Sequence, residues 1–179
     1  MDSKSILYAL RAYYSNAENT VKIILNCALV AAGADLVGGA IPGLAILAVI
    51  TSCFGAIWVM YGKLCSELGI SLKKNTLKIL ARAAITNIVM NLGSVIIGAV
   101  AGMLIPGASI PVSAIVTFIT VYLSGMMFLQ LILKMAQKST NLHTFSDIST
   151  DEMKKTVSNV KLSKDDLEAA KKIYDSHKE

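Results

Sequence analysis

The sequence predicts an all-α, membrane-embedded fold in which four apolar helices form two hairpins and a polar helical tail follows them. Residues 83–133 form a run of fifty-one residues without Asp, Glu, Lys or Arg. Residues 23–62 form a second run of forty, in which Asp35 is the only charged residue. A helix exposed to water needs charged side chains on its outer face, so a bilayer is the simplest environment for such helices.

The first elements are an amphipathic helix and hairpin 1. Residues 4–17 place apolar side chains and tyrosines at helical spacing, which predicts a short helix lying in the membrane interface. Residues 23–62 form hairpin 1, because Pro42 and Gly43 interrupt the apolar run and end a helix there. Each arm is then about 27–29 Å long, near the thickness of a bilayer core.

The second hairpin repeats this pattern. A basic connector, residues 63–82, carries five Lys or Arg residues and leads into hairpin 2, residues 83–133. Pro106 and Gly107 provide its turn, and the Ile-Pro-Gly sequence occurs sixty-four residues after its counterpart in hairpin 1. This pattern indicates either a duplicated hairpin or a turn that recurs by chance.

The charge distribution predicts the orientation. Residues 1–138, the predicted membrane domain, contain ten Lys or Arg residues and four acids, and residues 139–179 contain seven Lys and eight acids. With four spans, all basic segments lie on one side, which the positive-inside rule assigns to the cytoplasm. We therefore expect an integral protein of the bacterial inner membrane with both termini in the cytoplasm and membrane lipid as its partner.

The tail, residues 139–179, is expected to be cytoplasmic and helical. Ser149 and Ser163 are each followed three residues later by an acid, which predicts the start of two short helices. Helices this short and polar are not stable alone. They either dock on the membrane domain, bind a cytoplasmic protein partner or stay partly disordered.

One row of small and polar residues lies on the third apolar helix. Spacings of four, three, four and four residues place its members on one face. The row consists of Asn87, Asn91, Ser94, Gly98 and Gly102. The row indicates either a functional surface, namely a pore lining or a contact in a homo-oligomer, or helix packing within one chain. We favour packing within one chain because such residues commonly join helices in lipid.

The sequence contains no recognisable catalytic or cofactor-binding motif. It lacks the phosphate-binding loop, the zinc-protease motif and the nucleophile elbow, and its cysteines lack metal-ligand spacing. Its scattered bases do not form a nucleic-acid-binding stripe. We therefore expect no enzyme activity, cofactor, metal or nucleic acid. Asp35, within an apolar run, indicates either an ion or proton role or contact with interfacial water.

A resemblance to a known family covers about residues 20–137. The matching pattern is Ala31-Ala-Gly-Ala-Asp35, Ala40-Ile-Pro-Gly43, an apolar helix, Tyr61…Leu68-Gly-Ile-Ser-Leu72 and a second Ile-Pro-Gly at 105–107. These features resemble the YcjF-like hydrophobic helical domains of unknown function, which are often attached to a GTPase domain. The resemblance implies membrane association without established chemistry. Because a P-loop is absent, the resemblance does not imply GTPase activity for this chain. It implies that a separately encoded GTPase is a partner.

Three functions are compatible with these features. The favoured one is a non-enzymatic integral membrane module that anchors or scaffolds a partner through its tail. The first alternative is an oligomeric channel or pore-forming protein, similar to a toxin or a holin. The second alternative is a soluble helical bundle that buries both hairpins beneath residues 4–17, 63–82 and 149–177, although these segments are short relative to the apolar helices that they would cover.

Overall fold

The computed structural model describes the backbone of residues 3–38, 45–102 and 109–177, and the side-chain surroundings of residues 4–34, 53–91 and 113–177. Within these ranges the chain forms seven α-helices and no strand, which confirms the all-α prediction. The helices are α1 (Ser3–Leu10), α2 (Ala17–Gly38), α3 (Ala45–Glu67), α4 (Lys74–Gly102), α5 (Ser109–Lys138), α6 (Thr150–Ser158) and α7 (Lys164–Asp175).

Helix α5 lies at the centre of the bundle. It contacts each of the other described helices, and every residue from Val116 to Leu129 is buried. Among the described residues, its segment Ser113–Lys138 is the one helical stretch long and apolar enough to cross a membrane, and 89% of its most apolar window is buried. The structure therefore shows one candidate span, and the membrane-embedded four-helix arrangement stays a prediction.

Helices α2 and α3 are held against α5 by different contacts. A Cβ atom at Gly125 would lie 2.7 Å from Cγ1 of the fully buried Ile24, so glycine at this position permits the close approach of α2. On α3, Tyr61 stacks on Phe128 with ring centroids 4.0 Å apart. Its hydroxyl also lies 2.7 Å from Oγ of Ser124, which satisfies both buried hydroxyls.

The first helix is shorter than the sequence predicts. The pattern over residues 4–17 predicts one helix, but α1 ends at Leu10, and turns lead to α2. Tyr14, only 5% exposed, donates a hydrogen bond from its hydroxyl to the carbonyl oxygen of Leu142 at 3.0 Å. The turns after Leu10 place the Tyr14 side chain in the core, and burial raises the pKa of Tyr14 to about 12.

Helix α3 ends in a Schellman motif at Gly69. Gly69 has a φ of 65°, a conformation that glycine adopts without strain. The Ile70 N–H donates to the Cys65 carbonyl at 2.8 Å and the Gly69 N–H donates to the Ser66 carbonyl at 3.3 Å. Because α3 and α4 extend into it from both ends, the connector 63–82 is mostly helical.

The tail docks on the bundle through two capped helices. Ser149 Oγ accepts from the Glu152 N–H at 3.1 Å, and Ser163 Oγ accepts from the Asp166 N–H at 3.3 Å, which confirms both predicted helix starts. Helix α6 contacts α4 and α5, and α7 contacts α5. The buried tail side chains include Met153, Val157, Ala170 and Tyr174. Of the three states expected for the tail, the structure shows docking.

The segment between α5 and α6 is tied to the turn between α3 and α4. His143 Nδ1 hydrogen-bonds to the Gly69 carbonyl oxygen at 3.0 Å. Within the segment, Asp147 accepts hydrogen bonds from the Ser139 hydroxyl and, at 3.0 Å, from the Thr140 N–H. The Ser139 hydroxyl contributes most to a lowered pKa of the Asp147 carboxyl. These contacts fix the path of the chain into the tail.

Candidate functional site

The outer faces of α2 and α3 change from charged to apolar toward the turn of hairpin 1 that is predicted at Pro42 and Gly43. On α2, exposed positions four residues apart run from Lys22 through Asn26 to Val30, which is 73% exposed. On α3, the corresponding change runs from exposed Lys63 to Val59, which is 51% exposed. On both helices the apolar surface therefore lies between the basic residue and the predicted turn.

Among the described side chains of these two helices, the acidic ones, Glu18 and Glu67, lie farther from the predicted turn of hairpin 1 than the lysines do. Glu18 precedes Lys22 by one turn and pairs with Arg11 at 2.6 Å. Glu67 follows Lys63 by one turn and accepts a hydrogen bond from Asn19 Nδ2 at 2.8 Å. Within the described side chains of α2 and α3, positive groups are consequently the charged groups nearest to the apolar surface.

Helix α4 shows the same change in its outer face. Lys78 and Arg82 are exposed, and nearer to the hairpin end Met90 is 80% exposed. The Lys78 ammonium lies 5.2 Å from the centroid of the Trp58 ring, and the Arg82 guanidinium lies 5.8 Å from that of Phe54. Long basic side chains can place their stems on apolar surface while their charged ends stay in water.

These basic residues define a basic collar on the outer faces of α2, α3 and α4. Its members are Lys22, Lys63, Lys78 and Arg82. Trp58, which contacts one of them, belongs to a residue type that concentrates at membrane–water interfaces. Basic side chains beside apolar surface are typical of segments that adjoin anionic lipid.

Asn87 joins α4 to the tail. Its side chain is buried, and Nδ2 donates to the carbonyl oxygens of Val157 at 2.7 Å and Val160 at 3.0 Å. The final carbonyls of a helix have no partner within that helix, so these bonds satisfy acceptors at the end of α6. Asn91 Nδ2 donates to the Asn87 backbone carbonyl at 2.9 Å and also contacts its side-chain oxygen. In this packing Asn87 faces α6.

The other predicted site residues lie beyond the described side chains. Ser94, Gly98 and Gly102 lie on α4, and Asp35 lies on α2, but their side-chain surroundings are outside the described ranges. The four hairpin-turn residues, Pro42, Gly43, Pro106 and Gly107, lie outside the residues that the structure describes. Their roles stay predictions.

Chemically reactive groupings are sparse in the described ranges. No group of three or more His, Cys, Asp or Glu residues there is arranged to hold a metal ion. Burial raises the pKa of the Cys65 thiol to about 12, which keeps it protonated and therefore poorly nucleophilic at neutral pH.

Comparisons with known proteins do not assign this chain to a family. No family model matches it, and no curated protein or solved structure matches it either. The features of the described residues that bear on function are the basic collar, the apolar surface beside it and the docked tail.

Proposed function

We propose that this chain is a non-enzymatic integral membrane module in which a folded helical base holds two apolar hairpin ends in a bilayer. The observation that carries the proposal is the change from charged to apolar outer faces on α2, α3 and α4. Beyond that change, residues 35–52 and 92–112 contain Asp35 as their only charged residue. Such segments favour a hydrocarbon environment.

The basic collar supports a cytoplasmic position for the base. Anionic lipids attract Lys and Arg side chains near the membrane surface, each by about 1 kcal/mol. The positive-inside rule then assigns the base and both termini to the cytoplasm, with the bacterial inner membrane as the expected location. Ser94, Gly98 and Gly102 continue along α4 beyond Asn91, and in a homo-oligomer this part of the row is the proposed contact between copies.

The docked tail is the proposed scaffold for a cytoplasmic partner. Because the apolar faces of α6 and α7 pack inward, a partner would meet their charged outer faces. On α7 the exposed positions include Lys164, Asp165, Glu168, Lys171 and Lys172. The resemblance to YcjF-like domains makes a separately encoded GTPase the first partner to test.

Membrane insertion is tested by flotation with liposomes after detergent removal. The wild type should float with vesicles. Met90→Asp should reduce flotation, because a charged side chain within hydrocarbon costs about 2.5–3.5 kcal/mol. Asn75→Asp makes a matched charge change at an exposed position near the start of α4 and should float normally. Equal flotation of both variants would contradict insertion of the α4 surface.

The scaffold role is tested without removing the tail, because deletion would uncover the apolar surface of α5. Reversing both Lys171 and Lys172 to Glu changes exposed charges while leaving the buried residues of α7 in place. This variant should lose binding of the candidate GTPase yet still float with vesicles. Reversal of Lys73 and Lys74, which are exposed and lie outside the tail, provides a control for the change in net charge. Unchanged GTPase binding in the α7 variant would contradict a scaffold role for that face.

A soluble helical bundle is the second candidate. It is supported by the 89% burial of the apolar window of α5 and by the packing of α1, α6 and α7 on that helix. A compact monomer that stays dissolved without detergent and does not float with liposomes would favour this function. The channel alternative instead requires bilayer conductance that Gly98→Leu abolishes.

A further inference from the structure

A groove runs along the outside of hairpin 1 between α2 and α3. Its volume is about 400 Å³, within the usual range for small-molecule sites. The α2 part of its wall runs from Ile23 to Ala34, which corresponds to about 16 Å of helix. The groove is therefore long and open along its side, a shape that suits a chain-like ligand.

The groove has a polar end and an apolar end. Asn26 and Lys63 line the end near the basic collar, while Val30, Gly55 and Val59 line the part toward the hairpin end. No described atom lies within 4 Å of a Cβ placed on Gly55, so the missing side chain leaves open space there. Positive charge at one end and apolar walls beyond it are complementary to an anionic lipid.

We propose that this groove binds one acyl chain of an anionic phospholipid, with the phosphate near Lys63 and the chain lying along Val30 and Val59. This inference rests on the proposed membrane location and adds a specific ligand to it. Lys22, one turn from Asn26 on the exposed face of α2, provides a second positive charge near the headgroup. Gly55 determines whether there is room for the chain.

The proposal is tested by photocross-linking in nanodiscs that contain phosphatidylglycerol with a diazirine on its acyl chain. Mass spectrometry should place the adducts on groove residues such as Cys27 and Val30. Met90, which is 80% exposed on α4 and outside the groove lining, serves as the comparison for non-specific lipid contact. Gly55→Leu should abolish the groove adducts by filling the open space.

Two controls separate this site from general membrane binding. Gly62→Leu introduces the same side chain on α3 at another open position outside the groove lining, and it should keep the adducts. Lys63→Gln should reduce the preference for phosphatidylglycerol over phosphatidylcholine by about fivefold. This is the change in affinity that corresponds to the loss of one lysine contact with anionic lipid. Both variants, and Gly55→Leu, should still float with liposomes.

Several results would overturn the proposal. Equal labelling of Met90 and the groove would show non-specific lipid contact only. Labelling that survives Gly55→Leu would show that the acyl chain does not occupy the open space beside Gly55. If the protein floats normally, either of these outcomes would reject the lipid site alone. Failure of the wild type to float would reject the proposed membrane function as well.

Discussion

Replacement of Asn87 by Leu should release α6 from α4. The substitution removes the two hydrogen bonds from Nδ2 to Val157 and Val160. At about 1 kcal/mol for each bond, the direct loss is about 2 kcal/mol. The Val157 carbonyl keeps two backbone donors, the N–H groups of Asn159 and Val160, so Val160 is the residue whose carbonyl loses its described donor. We therefore expect a total cost of about 2–3 kcal/mol.

Hydrogen exchange of the α6 amides measures this loss directly. Because a short polar helix is unstable alone, undocking exposes its amides to exchange. A cost of about 2 kcal/mol corresponds to a roughly thirtyfold faster exchange in α6, while the amides in the middle of α5 should change little. Asn91→Leu is the matched control, because Asn91 is exposed and its described bonds go to Asn87 on the same helix. Unchanged exchange in Asn87→Leu, or an equal increase in the control, would refute this reasoning.

Three further predictions concern packing, capping and pH. Gly125→Val should destabilise the fold by about 1–3 kcal/mol because it overpacks α2, whereas Gly33→Ala, with open space around its Cβ, should stabilise α2 by about 0.5–1 kcal/mol in denaturant unfolding. Ser163→Ala should cost about 1 kcal/mol through loss of the α7 cap, detectable as faster exchange in the first turn. The folded-state pKa of Tyr14 is raised from 10.0 to about 12, so its contribution to stability is present below pH 10 and is lost as the pH rises toward 12. In unfolding measured across this range, Tyr14→Phe should lose that part of the pH dependence, and an unchanged slope would contradict the assignment.

Local signals in the sequence predict the helix boundaries well. Ser149 and Ser163 occupy the predicted cap positions, and Gly69 ends the α3 segment through a left-handed conformation. These outcomes depend on residues within one turn of each boundary. The burial of Tyr14 in the turns after α1 could not be predicted in this way, because Tyr14 bonds to Leu142, which is far away in the sequence.

The site was predictable in its composition but not in its pairings. The spacing on the third apolar helix places Asn87 and Asn91 on one face, yet it does not indicate that α6 would supply the acceptors for Asn87. A polar residue on an apolar helix can bond to any neighbour that packs there. The contact of Lys78 with Trp58 has a weak local signal, a tryptophan and a lysine near the ends of neighbouring apolar runs, but its pairing depends on the register of α3 against α4.

The close approach of α2 to α5 at Gly125 has a mechanical consequence for the whole molecule. Helix α2 belongs to hairpin 1 and α5 belongs to hairpin 2, and the buried Ile24 side chain occupies the space that a side chain at Gly125 would fill. Helix α2 cannot slide along α5 without moving the Ile24 side chain out of that space. A displacement of α2 along its axis must therefore carry α5 with it, so the two helices transmit motion between the halves of the chain that they belong to.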